Sequence, residues 1–176
     1  MKIEVTKYTD ESALRDACST TTGKPSKMTL KRMYRLKHSP MRTQIFWVKF
    51  IGAPKSVVDH FIRHHIGIEP FVQSSRPDFI GYDKKVDRDT PINYSFLCNA
   101  ESLMNMSYSR LCAHAEDKTI AAAEMLWKAV DEVDPDLADN MVPKCLFIKK
   151  CYERDARCAP VLKRQAELFD WKNRRK

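Results

Sequence analysis

Ile92-Asn-Tyr-Ser-Phe-Leu-Cys98, followed at once by Asn99-Ala-Glu-Ser-Leu-Met-Asn-Met-Ser-Tyr-Ser-Arg110, is the stretch that decides the fold class. Its first part reads as a strand. Asn99 suits the N-cap position, because its short side chain can accept a free backbone N–H, so a helix begins there. On that helix Asn99, Leu103, Met106 and Arg110 fall on one stripe, four, three and four residues apart. An arginine on an otherwise apolar stripe is costly unless paired, so a ligand or an acidic partner is expected at Arg110. Asn105 lies off that stripe.

Strands and helices are mixed in the same way on both sides of this stretch. Residues 2–8 alternate apolar and polar and read as a strand, and residues 10–18 read as a short helix capped by Asp10. Thr20 to Ser26 reads as a loop, Met28 to Lys37 as a basic helix stopped by His38-Ser39-Pro40, and Thr43 to Ile51 as a strand. Pro54 opens a helix with the stripe Val57, Val58, Phe61, Ile62 and His65, ending near Gly67. Gln73 to Tyr82 reads as extended, and Asp83 to Asp89 as a charged connection. Ala113 to Val133 is the clearest helix, with Ile120, Ala123, Leu126, Trp127, Val130 and Val133 as its core face and Asp134-Pro135 as its stop. Lys163 to Lys176 reads as a basic amphipathic helix. No internal repeat and no second domain is apparent, so 1–176 is read as one domain with a basic tail over 160–176.

A chain of 176 residues suits one domain with its own core, or one protomer of an intertwined oligomer. With 43% hydrophobic residues and four glycines, it is not a low-complexity chain. A formal charge of +8 points to an anionic partner: a nucleotide, a nucleic acid or an acidic surface. No apolar run reaches the length of a membrane span, and the charged N-terminus lacks a signal-peptide core. Six cysteines on a chain of this size read as reduced thiols, and the expected location is the cytoplasm. Cys145, Cys151 and Cys158 are separated by five and six residues, which matches no common zinc spacing. They are read as buried or incidental thiols, and no metal site is expected.

Arg63-His64-His65 is followed shortly by Gln73-Ser74-Ser75-Arg76. In the last turn of a helix, Arg63 and His64 alone would simply compensate the helix dipole. Their company of Gln73, Ser74 and Arg76 points instead to a site for a planar anion, since guanidinium groups bind phosphate bidentately and keep their charge.

At these residues the sequence resembles the flavin-dependent thymidylate synthases, the ThyX family. The triplet and the Gln-Ser-x-Arg end resemble that family's Arg-His-Arg signature, with one extra residue between the halves. The segment from Asn99 to Arg110 is similar to the family's Asn-Ala-Arg-Ser-Leu block. Val142-Pro143-Lys144-Cys145, and Cys151-Tyr152-Glu153 through Cys158, are similar to the cysteine-containing ending of many members, while Met1 to Tyr8 and His38-Ser39-Pro40 fit in order. The resemblance implies an α+β fold, a twisted, mostly antiparallel sheet with long helices, assembled as a homotetramer or a dimer. It implies transfer of a one-carbon group to C5 of dUMP or a related pyrimidine nucleotide. Methylenetetrahydrofolate would be the donor, reduced FAD the hydride source and NADPH the reductant, without an enzyme thiol as nucleophile.

Carried over by position, the resemblance makes Arg63, Ser74 and Arg110 catalytic. It makes Arg63, Gln73, Ser74, Arg76, Arg88 and Arg110 nucleotide-binding. It makes Arg63, His64, His65, Asn99 and Asn105 flavin-binding. The departures cluster on the flavin side. His65 and Glu101 stand where the family has arginines, Arg42-Thr43 where it has Glu-His, and Val72 where it has a glutamate. The long insert between the two motifs shrinks to a connection from about Pro77 to Pro91. A nucleotide-binding protein without redox chemistry is therefore the alternative. A nucleic-acid-binding module using Lys31 to Lys37 and the basic tail is the less favoured one.

Overall fold

The computed structural model describes residues 1–81, 84–153 and 158. Strand β1 (Lys2–Lys7) leads into helix α1 (Glu11–Thr22). Asp10 caps α1, its carboxylate accepting the Ser12 N–H at 2.9 Å. The helix consumes the first half of the expected loop. The Thr21 and Thr22 hydroxyls both hydrogen-bond back to the Cys18 carbonyl at 2.9 Å, which keeps these residues helical. The stop is Gly23, in the left-handed conformation at φ 66°.

Helix α2 (Leu30–Leu36) starts later than the sequence suggests, because Thr29 is its N-cap. A short 3-10 turn over Ser39–Thr43 leads into strand β2 (Ile45–Pro54), which passes directly into helix α3 (Lys55–Phe61). Helix α3 ends at Phe61 and not near Gly67. Ile62 and His65 are exposed, and Arg63 and His64 belong to the turn that follows. Strand β3 (Ile68–Val72) lies just before the segment read as extended, whose own middle forms the single turn α4 (Pro77–Ile80). Pro77 at the first helical position explains that turn.

Strand β4 (Pro91–Asn99) and helix α5 (Ala100–Arg110) share one boundary, as the sequence indicates. Helix α6 (Asp117–Val133) is the longest, starting a turn later than expected. Its last residue, Val133, is exposed and does not join the core face. Two short helices follow, α7 (Pro135–Ala138) and α8 (Lys144–Ile148). The basic segment from Lys163 lies outside the described residues.

The four strands form an antiparallel sheet in the order β1-β2-β4-β3, so the fold is α+β. Phe46, Val48 and Phe50 of β2 and Tyr94, Phe96 and Cys98 of β4 alternate onto one face and are buried there. The core joins them to Val57 and Phe61 of α3, Leu103 of α5, and Leu126, Trp127 and Val130 of α6. Trp127 also donates its Nε1–H to the Ala138 carbonyl at 2.8 Å, fastening α7 to α6. On the opposite face Trp47 meets Phe71 with ring centroids 5.5 Å apart, and Ile51, Leu97 and Phe71 stay exposed. Gly52, at φ 63°, makes the bulge between Phe50 and Ala53, its N–H held by Asn93 Oδ1 at 3.0 Å.

Asn99 ends β4 and caps α5, accepting the Ser102 N–H at 3.0 Å. Replacing Asn99 with Ala is expected to cost about 1 kcal/mol, read as a lower urea midpoint with an unchanged slope.

Candidate functional site

The turn after α3 is held against the start of α5 by a close approach. The Ser102 hydroxyl lies 3.0 Å from the Ile66 carbonyl and 2.9 Å from the Gly67 carbonyl. A Cβ on Gly67 would stand 2.5 Å from Ser102 Oγ and 2.7 Å from Asn99 Nδ2, at φ +69°. Only glycine fits there. The turn carrying Arg63, His64 and His65 is thereby fixed relative to the helix carrying Arg110.

That placement brings Arg63, His64 and Arg110 close enough to act on one another electrostatically. Burial, and then Arg110 and Arg63, hold the His64 pKa down at about 4 from the usual 6.5. Burial and then Arg63 also lower the Arg110 pKa from the ordinary guanidinium value. Arg110 Nε and His64 Nε2 are both buried without a hydrogen-bond partner among the described residues. A neutral imidazole and a half-buried guanidinium therefore each hold a nitrogen without a partner, with the exposed Arg63 close by. An anion is the species that satisfies all of them. The partner that the helical stripe demanded for Arg110 is not supplied from within the described chain.

The histidine gives a pH dependence with a defined sign. Between about pH 6.5 and 4 only the unfolded chain takes up this proton. The His64 contribution is therefore intact above that window and lost as pH falls through it. It should amount to about 1–2 kcal/mol after allowance for partial solvation. Urea midpoints at pH 7 and pH 5 should show the loss, and His64→Gln should remove it.

The remaining sequence candidates fall in other places. His65 and Asn99 line an open groove of about 380 Å³ together with Ile45, Gly67, Ile68 and Leu97. His65 Nδ1 contacts the Arg63 carbonyl at 3.1 Å. Gln73 and Ser74 line a different cavity, of about 350 Å³, with Phe79, Lys84 and Lys85. Gln73 is bonded to Asn93 through both its backbone N–H and its side-chain carbonyl, each at 2.9 Å. Ser74 Oγ accepts the Arg76 N–H at 3.2 Å, while the Arg76 guanidinium spans both carboxylate oxygens of Asp78. Arg88 is exposed and does not line that cavity. Asn105 gives its carbonyl oxygen to Lys37 Nζ at 2.7 Å.

Glu101 is paired with Arg42, whose Nε lies 2.5 Å from the carboxylate. Its negative charge is thus compensated by Arg42, itself another of the departures named above. Sequence reasoning passed over Lys84 and Lys85, whose place in a charged connection carried no signal beyond solubility. It also passed over Tyr108, which lies under Lys37 Nζ at 4.6 Å and whose buried hydroxyl has its pKa pushed up to about 12, first by burial and then by Glu101.

Among the described residues, no helix is long and apolar enough to cross a membrane. No known family model matches the chain, and no curated protein is significantly similar to it in sequence. Solved structures do match. One is thymidylate synthase X (ThyX) from Helicobacter pylori with FAD and dUMP, with a TM-score of 0.65 and 14% identity over 81% of this chain and 99% of that one. A second is flavin-dependent thymidylate synthase ThyX from Helicobacter pylori complexed with FAD and dUMP, with a TM-score of 0.67 and 14% identity over 81% of this chain and 100% of that one. At that identity the likeness is one of fold: the sheet and the helices of this chain are arranged as in ThyX.

Proposed function

We propose that this protein is a flavin-dependent thymidylate synthase-like enzyme that transfers a one-carbon group to C5 of dUMP or a related pyrimidine nucleotide. The single observation that carries the reading is the pair of buried, unpartnered nitrogens Arg110 Nε and His64 Nε2, with Arg63 near enough to act on both, inside a fold shared with ThyX structures. In this reading Arg63 and Arg110 hold the nucleotide anion, and neutral His64 offers a hydrogen bond beside them. Gln73 and Ser74 serve the nucleotide from the cavity that they line, with Arg76 beside them in sequence. Because the Gln73–Ser74 cavity does not include Arg63, His64 or Arg110, a site that uses both groups would be completed between copies, as a homotetramer or a dimer. The exposed apolar face with Trp47, Leu97 and Phe71 supports such assembly.

The groove lined by Ile45, His65, Gly67, Leu97 and Asn99 offers an apolar wall for a planar flavin ring. Bound there, FAD would supply the hydride. The work of the chain is to fix the nucleotide, exclude water and set charge around the pyrimidine. Methylenetetrahydrofolate is the proposed carbon donor and NADPH the proposed reductant, in the cytoplasm.

One observation favours a second reading, a nucleotide-binding protein without redox chemistry. Asn105 is engaged by Lys37, and Glu101 pairs with Arg42, so two positions on the flavin side of the resemblance are already occupied by contacts within the chain. Titration of FAD with and without dUMP, followed by visible absorption, separates the two. The enzyme reading expects saturable flavin binding with a dUMP-dependent spectral shift. The second reading expects dUMP binding with no flavin requirement, and failure of both ligands to bind would sink both readings.

A further inference from the structure

Four of the chain's six cysteines come together around one cavity of about 300 Å³: Cys112, Cys145, Cys151 and Cys158. Cys112 follows α5, Cys145 lies in α8, and the other two follow α8. The sequence spacing of the last three gave no zinc pattern, and the fourth thiol becomes visible only through the fold. Cys151 and Cys158 are hydrogen-bonded through their side chains, and the Cys158 thiol is influenced by Cys151, Cys112 and Cys145. The Cys145 thiol is influenced by Cys151 and Cys112. The remaining two cysteines, Cys18 and Cys98, are core residues elsewhere.

These thiols are not there for packing. Helix α8 has only five residues and buries none of them, and Cys151 is exposed. Among the described residues of this segment, Phe147 reaches the core and stacks near Tyr108, while the cysteines themselves stand around the cavity. Short segments of this kind are commonly fastened by a metal or by disulfides, and all six cysteines here are free thiols.

We propose that Cys112, Cys145, Cys151 and Cys158 form a four-thiolate site for a soft divalent cation, zinc, which staples the segment after α7 to the end of α5. Four thiolates on a divalent ion leave two negative charges, and Lys144 and Lys150 line the same cavity to offset them. Among the described residues no three potential ligands already stand at metal-binding distance. Binding therefore requires the four thiols to close on the ion from the rim of the cavity. The staple lies two residues beyond Arg110, so it steadies the turn from which that guanidinium projects. The proposal does not depend on nucleotide or flavin binding.

The test is metal analysis of the full chain purified in reductant without chelator. About one zinc per chain is expected, with a first shell of four sulfurs at ~2.3 Å by X-ray absorption. Cobalt substitution should give thiolate-to-metal charge-transfer bands. Replacing any one of the four cysteines with Ser should weaken metal binding by more than the roughly 10–100-fold that outer-shell partners typically cost. Cys18→Ala should leave it unchanged. The X-ray absorption measurement needs no variant, so it decides the matter even where a substituted chain fails to fold. Three results would each overturn the site: no cobalt or zinc bound, a nitrogen- or oxygen-dominated shell, or a Cys151–Cys158 disulfide persisting in reductant with excess zinc.

Discussion

Replacing Asp134 with Ala is expected to destabilise the chain by about 3–5 kcal/mol, enough to leave much of it unfolded at ordinary temperature. The side chain is only 3% exposed, yet both of its oxygens are engaged. Oδ2 takes Lys7 Nζ at 2.7 Å and the Tyr34 hydroxyl at 2.8 Å, and Oδ1 takes the Leu137 N–H at 3.0 Å. One carboxylate therefore joins strand β1, helix α2 and the start of α7, three parts of the sequence far from one another. Removing it strands an ammonium that is 16% exposed and a buried phenol, and it uncaps α7. The phenol's pKa is raised well above the tyrosine range, first by burial and then by Asp134, so it stays a neutral donor. Denaturant melts read the loss directly. Glu132→Ala, two residues earlier and exposed, should change little.

Arg110→Met is expected to act with opposite signs on folding and on binding. Nucleotide affinity should fall by at least ~100-fold, because under the proposed function a phosphate loses its partly desolvated guanidinium partner. The unliganded protein should become more stable by about 1 kcal/mol, since a half-buried, repelled charge is replaced by an apolar chain of similar length. Calorimetric titration with dUMP and a urea melt measure the two effects separately. Arg32→Ala, on the exposed side of α2, should alter neither. A loss of both stability and binding at Arg110 would instead mark it as a structural residue.

Much of the architecture was readable because local chemistry and burial agree. The strand from Ile92 to Cys98 alternates, Asn99 caps, and the stripe through Leu103 and Met106 is buried as its spacing requires. Boundaries failed where a side chain overrode composition, as with the back-bonded threonines of α1. They also failed where a stripe continued past its helix, as with Ile62 and His65 after α3. The site was legible in residue type and not in distance. Sequence gathered the arginines and serines into one list. The fold brings Arg63, His64 and Arg110 together, puts Ser74 with Lys84 and Lys85 elsewhere, and leaves Arg88 at the surface. Pairings such as Arg42 with Glu101, 59 positions apart, have no local signature at all.

The shared boundary at Asn99 acts like the coupling between a shaft and a screw. The register of β4 against β2 and β3 sets where Asn99 stops, and the helical pitch then sets the direction in which Arg110 points. One residue inserted between them would swing the guanidinium by about 100° around the axis. The same insertion between Ser74 and Thr90 would leave register and pitch untouched. A change of length in that connection therefore leaves the direction of Arg110 alone, while the eleven residues of α5 are fixed in number by the direction their last one must face.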